Sequence, residues 1–280
     1  MKMKKNRRRH IILPEITRWL VNPVFLAAVF FAGVFIVFDI LASVPEGILL
    51  REGELNGAVH YIVSTAGTVL FKYTGLCLCA YLGSGLYAED FEENAVYMRI
   101  QRLGCTRYAL GRVIHVMLSA WLCAALAELL GAVILMVGFG QPFLALDPSF
   151  SDTGEGLFAQ GKYVSYCFIL FGICGFRAAF YALLAMAFSV FVPNRKAAAA
   201  LPVLLWYFNQ FMLCRFEWIP GWLQPRTLFT EENAASFLFG ISEWSAFFLA
   251  AAYTLVTGAL VFLLLRYALR RNRTFGGKME

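Results

Sequence analysis

Charge is scarce in this chain. Of its 280 residues only 15% are charged, while 60% are hydrophobic. An ordinary soluble domain has about 25% charged and about 45–50% apolar residues. A water-soluble core of this length could not hide so much apolar surface, so a bilayer is the natural solvent, and the charge-poor stretches leave no room for a soluble domain. Histidine is scarcer still: His10, His60 and His115 are the only three. No two of them share a helix at metal-ligand spacing, which argues against a metal centre. The seven cysteines do not form a disulfide framework. Cys77, Cys79, Cys123, Cys167 and Cys174 fall inside apolar stretches, Cys105 sits on a basic flank and Cys214 stands alone. A phosphate loop is lacking as well. Residues 156–162, GLFAQGK, match most of the pattern. Tyr163 stands where Ser or Thr is required, and no strand precedes it. Tandem repeats and low-complexity segments are also missing.

What is present is long apolar runs. A helix needs roughly 20 apolar residues to cross the hydrocarbon core. Six stretches qualify or nearly do: Leu20–Ala42, Tyr61–Tyr87 (interrupted by Lys72), Leu110–Val137, Val164–Val192, the short Ala197–Leu213, and Trp244–Leu265. Each is too long for a buried strand, and open sheet edges are forbidden in lipid, so the expectation is an all-α polytopic membrane protein with six spans. Residues 20–280 read as one transmembrane domain, and residues 1–19 as a cytoplasmic tail with an interfacial helix.

Orientation follows from the flanking basic residues. One side collects Lys2, Lys4, Lys5, Arg7, Arg8, Arg9, Arg18, Arg99, Arg102, Arg107, Arg112, Arg195, Lys196, Arg266, Arg270, Arg271, Arg273 and Lys278. The other has Arg51, Lys162, Arg215 and Arg226, a ratio of 18 to 4. The rich side is read as the cytoplasm, with both termini there and the chain in the cytoplasmic membrane of the cell. The net charge of +6 is thus a topology signal. Nucleic-acid binding is disfavoured, because the basic residues flank spans and do not form one stripe. The first apolar run is too long for a cleaved signal peptide, despite Leu41-Ala42-Ser43, and is read as a retained anchor.

The connecting segments carry their own signals. Residues 11–19, IILPEITRW, read as a short interfacial helix with Trp19 at headgroup level, or as a plain juxtamembrane linker. The outer loops, 44–60 and 138–162, are rich in Gly and Pro and read as turns. Residues 214–243 are aromatic yet broken by Pro220 and Pro225. Thr230 before Glu231 and Glu232 looks like a helix start, so a short helix over 231–240 is expected. These pieces read as re-entrant, dipping into the outer leaflet under protein cover. Pro193-Asn194-Arg195-Lys196 is a tight inner turn.

Between the second and third spans lies EDFEENAVYMRIQRLGCTRYALGR, residues 89–112. The acids Glu89, Asp90, Glu92 and Glu93 come first, and the basic Arg99, Arg102, Arg107 and Arg112 follow. Val96, Ile100 and Leu103 recur at helical spacing beside Tyr97, and Gly104 would end the helix. The expectation is a short amphipathic helix on the inner membrane surface, with acids near its start and arginines near its end, as its dipole favours. A solvated loop with topology-setting arginines is the bland alternative. Within the spans, Asp39, Lys72, Glu128 and Arg177 are ionisable, which is costly there and usually paired or functional. Glu128 is expected to pair with Arg177 or Lys72, either as a polar lining of a path or as a structural bridge between helices.

These features together resemble the permease subunit of type-two ABC transporters, the mostly exporting branch. That family has six spans, a cytoplasmic amphipathic helix before the first and a coupling helix between the second and third. Its coupling region carries Glu, then Arg-Tyr or Arg-Phe, then a basic residue. Glu92 or Glu93, Arg107-Tyr108 and Arg112 stand at those places here. The turn 193–196, Pro202 in the fifth span and the Pro-containing segment 219–223 match as well. The family's Gly-Thr after the Glu is Asn94-Ala95 in this chain, which leaves the register of the coupling helix open. The resemblance implies a translocation path built with a second permease subunit, as a homo- or heterodimer, embedded in membrane lipid. It also implies a separate soluble ATPase subunit that binds ATP and Mg and receives Glu89, Asp90, Glu92, Glu93, Arg99, Arg102 and Arg107. This chain itself would have no cofactor and no catalytic residue. The alternative from another class is a non-transporting membrane scaffold, immunity or sensor protein. An intramembrane enzyme is disfavoured further. Glu92-Glu93 resembles the EExxxR motif of CAAX-type intramembrane proteases, but the Arg is at 99 and the His motifs are missing.

Overall fold

The structure, a computed structural model, describes residues 22–43, 58, 75–83, 85–93, 95–140, 157, 160–211, 215 and 242–276. Every described element is a helix. They are α1 (Pro23–Ser43), α2 (Leu76–Tyr81), α3 (Gly85–Glu92), α4 (Ala95–Leu103), α5 (Cys105–Phe139), α6 (Tyr163–Ser189), α7 (Arg195–Phe211) and α8 (Glu243–Gly276). The expected tail and interfacial helix, Lys72, the outer loops and the re-entrant segment lie outside the described residues, apart from short flanks.

Local chemistry sets several helix starts. Pro23 begins α1, and the Asn22 Oδ1 before it accepts from the Val24 amide at 3.0 Å; Pro suits the first helical position and Asn the cap. Asn194 caps α7, its Oδ1 accepting from the amides of Lys196 and Ala197 at 2.9 and 3.2 Å. Ser242 caps α8 through the Ser245 amide at 3.3 Å.

Four helices are long and apolar enough to cross a membrane: α1, α5, α6 and α8. Of the six expected spans, the second lies mostly outside the described residues and the fifth falls short of that length, so six spans are not shown among the described residues. The second stretch, expected over residues 61–87 with an interruption at Lys72, is described only from residue 75, and there the helix stops at Tyr81 and restarts at Gly85. Gly83-Ser84-Gly85 is a run of weak helix formers. Gly83 also packs so tightly on α5 that an added Cβ would lie 2.8 Å from the Val116 Cα. The fifth stretch is α7, whose 17 residues span about 26 Å, short of the roughly 30 Å hydrocarbon core. Conversely, α5 and α8 have 35 and 34 residues; α5 starts about a turn before the expected 110–137, and α8 runs well past the C-terminal end of the expected 244–265.

The spans pack around α6, whose Ile169–Gly175 and Arg177–Leu183 runs are buried on all sides. A helix hydrophobic all round belongs inside a bundle. Close approach relies on small residues, as expected where lipid removes the hydrophobic drive between helices. Trp121 of α5 lies on Gly175 and donates from Nε1 to the Gly172 carbonyl at 3.1 Å. Phe247 of α8 sits between Phe168 and Phe176, with both centroids at 5.3 Å. A Cβ on Gly175 would lie 2.6 Å from Trp121 Cδ1 and 2.9 Å from its backbone oxygen. Gly175→Ala is therefore expected to cost about 1–3 kcal/mol, as overpacking of a filled core does. A thermal melt in detergent matching the parent would refute this packing. Outward faces carry Phe30 and Phe38 on α1, and Phe248, Leu255 and Leu263 on α8, all more than half exposed, which suits contact with lipid tails.

The chain alternates direction. Gly258 of α8 approaches Val113 of α5 and Leu183 of α6. This places the start of α5, the end of α6 and the arginine-bearing half of α8 at one end of the bundle. Here α3 and α4 lie too. We call this the basic end.

Candidate functional site: an aspartate-centred cluster at the basic end

The amphipathic segment resolves into two helices. α4 seats Val96 and Ile100 against the bundle and exposes Tyr97, Met98, Arg99, Arg102 and Leu103. It ends at Leu103, and Gly104 takes φ +80°, where an added Cβ would meet nothing within 4 Å. The positive φ is what calls for glycine there. The acids do not open this helix, which corrects the dipole expectation. Glu89, Asp90 and Glu92 close α3, and Glu93 lies in the turn after it. Carboxylates at a helix C-terminus face its negative end, so they need cationic partners from elsewhere.

Asp90 has them. It is 2% exposed and accepts from the Tyr108 hydroxyl at 2.6 Å, from Arg112 and from Arg99 Nη1 at 2.9 Å. One carboxylate thus gathers α3, α4 and the first two turns of α5. The Arg112 guanidinium also lies 5.5 Å from the Tyr108 ring centroid. Its neighbour Glu89 takes a different partner, Arg195 of α7 at 3.2 Å, and that guanidinium sits 4.8 Å from the Tyr81 ring centroid at the end of α2. Burial, with the Tyr97 phenol adding to it, pushes the Tyr87 phenol above its ordinary range, so it stays neutral beside this cluster. Of the residues expected to meet a partner, Glu92, Glu93, Arg102 and Arg107 are exposed, Arg99 and Glu89 are partly engaged, and Asp90 is enclosed. Energetically the three ion pairs differ: an exposed one, as at Arg99 or Glu89–Arg195, contributes about 0–1 kcal/mol, whereas breaking a buried one, as at Asp90–Arg112, costs about 3–5 kcal/mol.

A second polar group crosses the bundle interior. Glu128 of α5 and Arg177 of α6 are 2% and 4% exposed. Cys174 stands between them: its Sγ accepts from Arg177 Nη2 at 3.3 Å, and its thiol lies within reach of the Glu128 carboxylate. One turn along α6, the Tyr181 hydroxyl accepts from Asn209 Nδ2 of α7 at 2.9 Å. Cys174, Arg177 and Tyr181 follow helical spacing and share one stripe. Asp39 is buried on α1. Sequence alone pointed to Glu128 and Arg177 by their charge in apolar runs, but it gave no sign that a thiol would join them. No group of three His, Cys, Asp or Glu among the described residues could hold a metal ion.

No protein-family model, curated protein or solved structure matches the chain.

Proposed function

We propose that this chain is the transmembrane permease subunit of an ATP-driven ABC exporter of the cytoplasmic membrane, working with a separate ATPase and a second permease subunit. The basic end is then cytoplasmic. The reading draws on the positions of Glu92-Glu93, Arg107-Tyr108 and Arg112, and on the four helices long and apolar enough to cross a membrane. The observation that carries it is α4. Its inner face grips the bundle through Val96 and Ile100, while Tyr97, Met98 and Arg102 face away from it. Such a helix can receive a push from outside and pass it on through Asp90 to a 35-residue span. The Glu128–Cys174–Arg177 group supplies polar side chains in the interior, where a path would need them.

The test is co-purification. From its native host, in mild detergent, the chain should bring down a soluble protein with Mg-ATP hydrolysis. Arg102→Glu with Arg107→Glu should lower that associated activity about tenfold, since two exposed contacts of up to about 1 kcal/mol each turn repulsive. Deleting residues 92–104 should abolish it. A stable chain that carries no hydrolysing partner would sink the transporter reading and favour a scaffold or sensor.

A further inference from the structure

The adjacent carboxylates Glu89 and Asp90 sit on one short helix yet hold different parts of the bundle. Asp90 has three donors from two elements, and its side chain is 3% exposed against 13% for Arg112. Glu89 has Arg195, and the two side chains are 31% and 37% exposed. Solvent and salt reach the Glu89–Arg195 pair and the Arg99 arm of the cluster, at 46% exposure, but not the Asp90–Arg112 pair.

We propose that α3 works as a pivot and a latch. Asp90 fixes α3 to α5 through Arg112 and Tyr108, with α4 seated by its buried Val96 and Ile100, and Glu89–Arg195 is a releasable latch between that unit and the start of α7. Three features of α7 suit a release. Arg195 is its first residue, set directly after the Asn194 cap. Pro202 lies inside the helix and offers no N–H to the carbonyl four residues back, so the segment from Arg195 to Leu201 has a hinge above it. The Arg195 guanidinium already rests over the Tyr81 ring, which gives it a place to remain when Glu89 lets go. Opening the latch parts α7 from α3 while the Asp90 cluster stays closed. The device belongs to this chain alone and stands whether or not an ATPase partner exists.

Distances between nitroxides on the full chain in lipid nanodiscs test it. Labels are attached through keto amino acids, which leaves the seven native cysteines in place. One pair, at Glu93 and Lys196, spans the latch. The other, at Glu93 and Arg107, spans the pivot. All three positions are exposed. Raising salt from about 0.1 M to about 1 M, which shortens the Debye length from about 10 to about 3 Å, should broaden the latch distribution toward longer distances and leave the pivot distribution unchanged. Glu89→Gln at low salt should reproduce the broadening, and Glu89→Arg with Arg195→Glu should restore the narrow distribution. A latch distribution indifferent to both salt and Glu89→Gln overturns the proposal. So does a pivot distribution that broadens in step with it.

Discussion

Replacing Asp90 by alanine should destabilise the protein by about 3–5 kcal/mol, the cost of leaving a buried charge without its partner. The charge in question is Arg112. Its side chain is 13% exposed, so water can do little for it once the carboxylate is gone, and the Tyr108 hydroxyl loses its acceptor as well. Arg99 is 46% exposed and can rehydrate, so its share of the loss is small. Asp90→Asn should fall between, because the amide keeps the shape and one acceptor but not the charge. Glu89→Ala, one residue away, should change stability by no more than about 1 kcal/mol. Melting temperatures of the four proteins in one detergent decide the matter. Equal shifts for Asp90→Ala and Glu89→Ala would show that the cluster does not bind the basic end together. A milder outcome for Asp90→Ala accompanied by Arg112→Met would support it, since removing both charges avoids the orphan.

This contrast also marks what the sequence could and could not show. Long apolar runs and flanking arginines are composition signals, so α1, α5, α6 and α8 were legible within a turn or so at most of their ends. The period of Val96 and Ile100 and the stop at Gly104 likewise revealed α4. Burial of Asp90 was not legible. Among Glu89, Asp90, Glu92 and Glu93 nothing local distinguishes the one that three donors will surround, because those donors arrive from residues 99, 108 and 112 through a change of chain direction. The break between α2 and α3 was hidden in a different way. Gly83-Ser84-Gly85 was visible, but glycines are common in membrane helices, and only the approach of Val116 shows that this one sits at a turn pressed on α5. Cys174 was overlooked because a cysteine in an apolar run reads as packing. Its role depends on Glu128, which comes from another helix.

The interior group should respond most strongly to loss of Arg177. Arg177→Leu leaves Glu128 and Cys174 in the bundle without the guanidinium, and a cost of about 3–5 kcal/mol is expected for an unmatched buried charge. Glu128→Leu alone should be costly for the mirror-image reason. The double variant, Arg177→Leu with Glu128→Leu, should recover part of that loss, since well-packed apolar residues can replace a buried pair with little penalty. The coupling between the two sites, read from the double-mutant cycle, should then be well above zero; additive losses would mean that Cys174 does not join them. Glu128→Gln separates structure from transport. It keeps the size of the side chain and an acceptor for the Cys174 thiol, so the fold should survive. If the carboxylate lines a path, transport by the assembled complex should fall while ATP hydrolysis continues. Full transport by Glu128→Gln would assign the group to holding α5 and α6 together, with Arg177 kept inside by its hydrogen bond to Cys174.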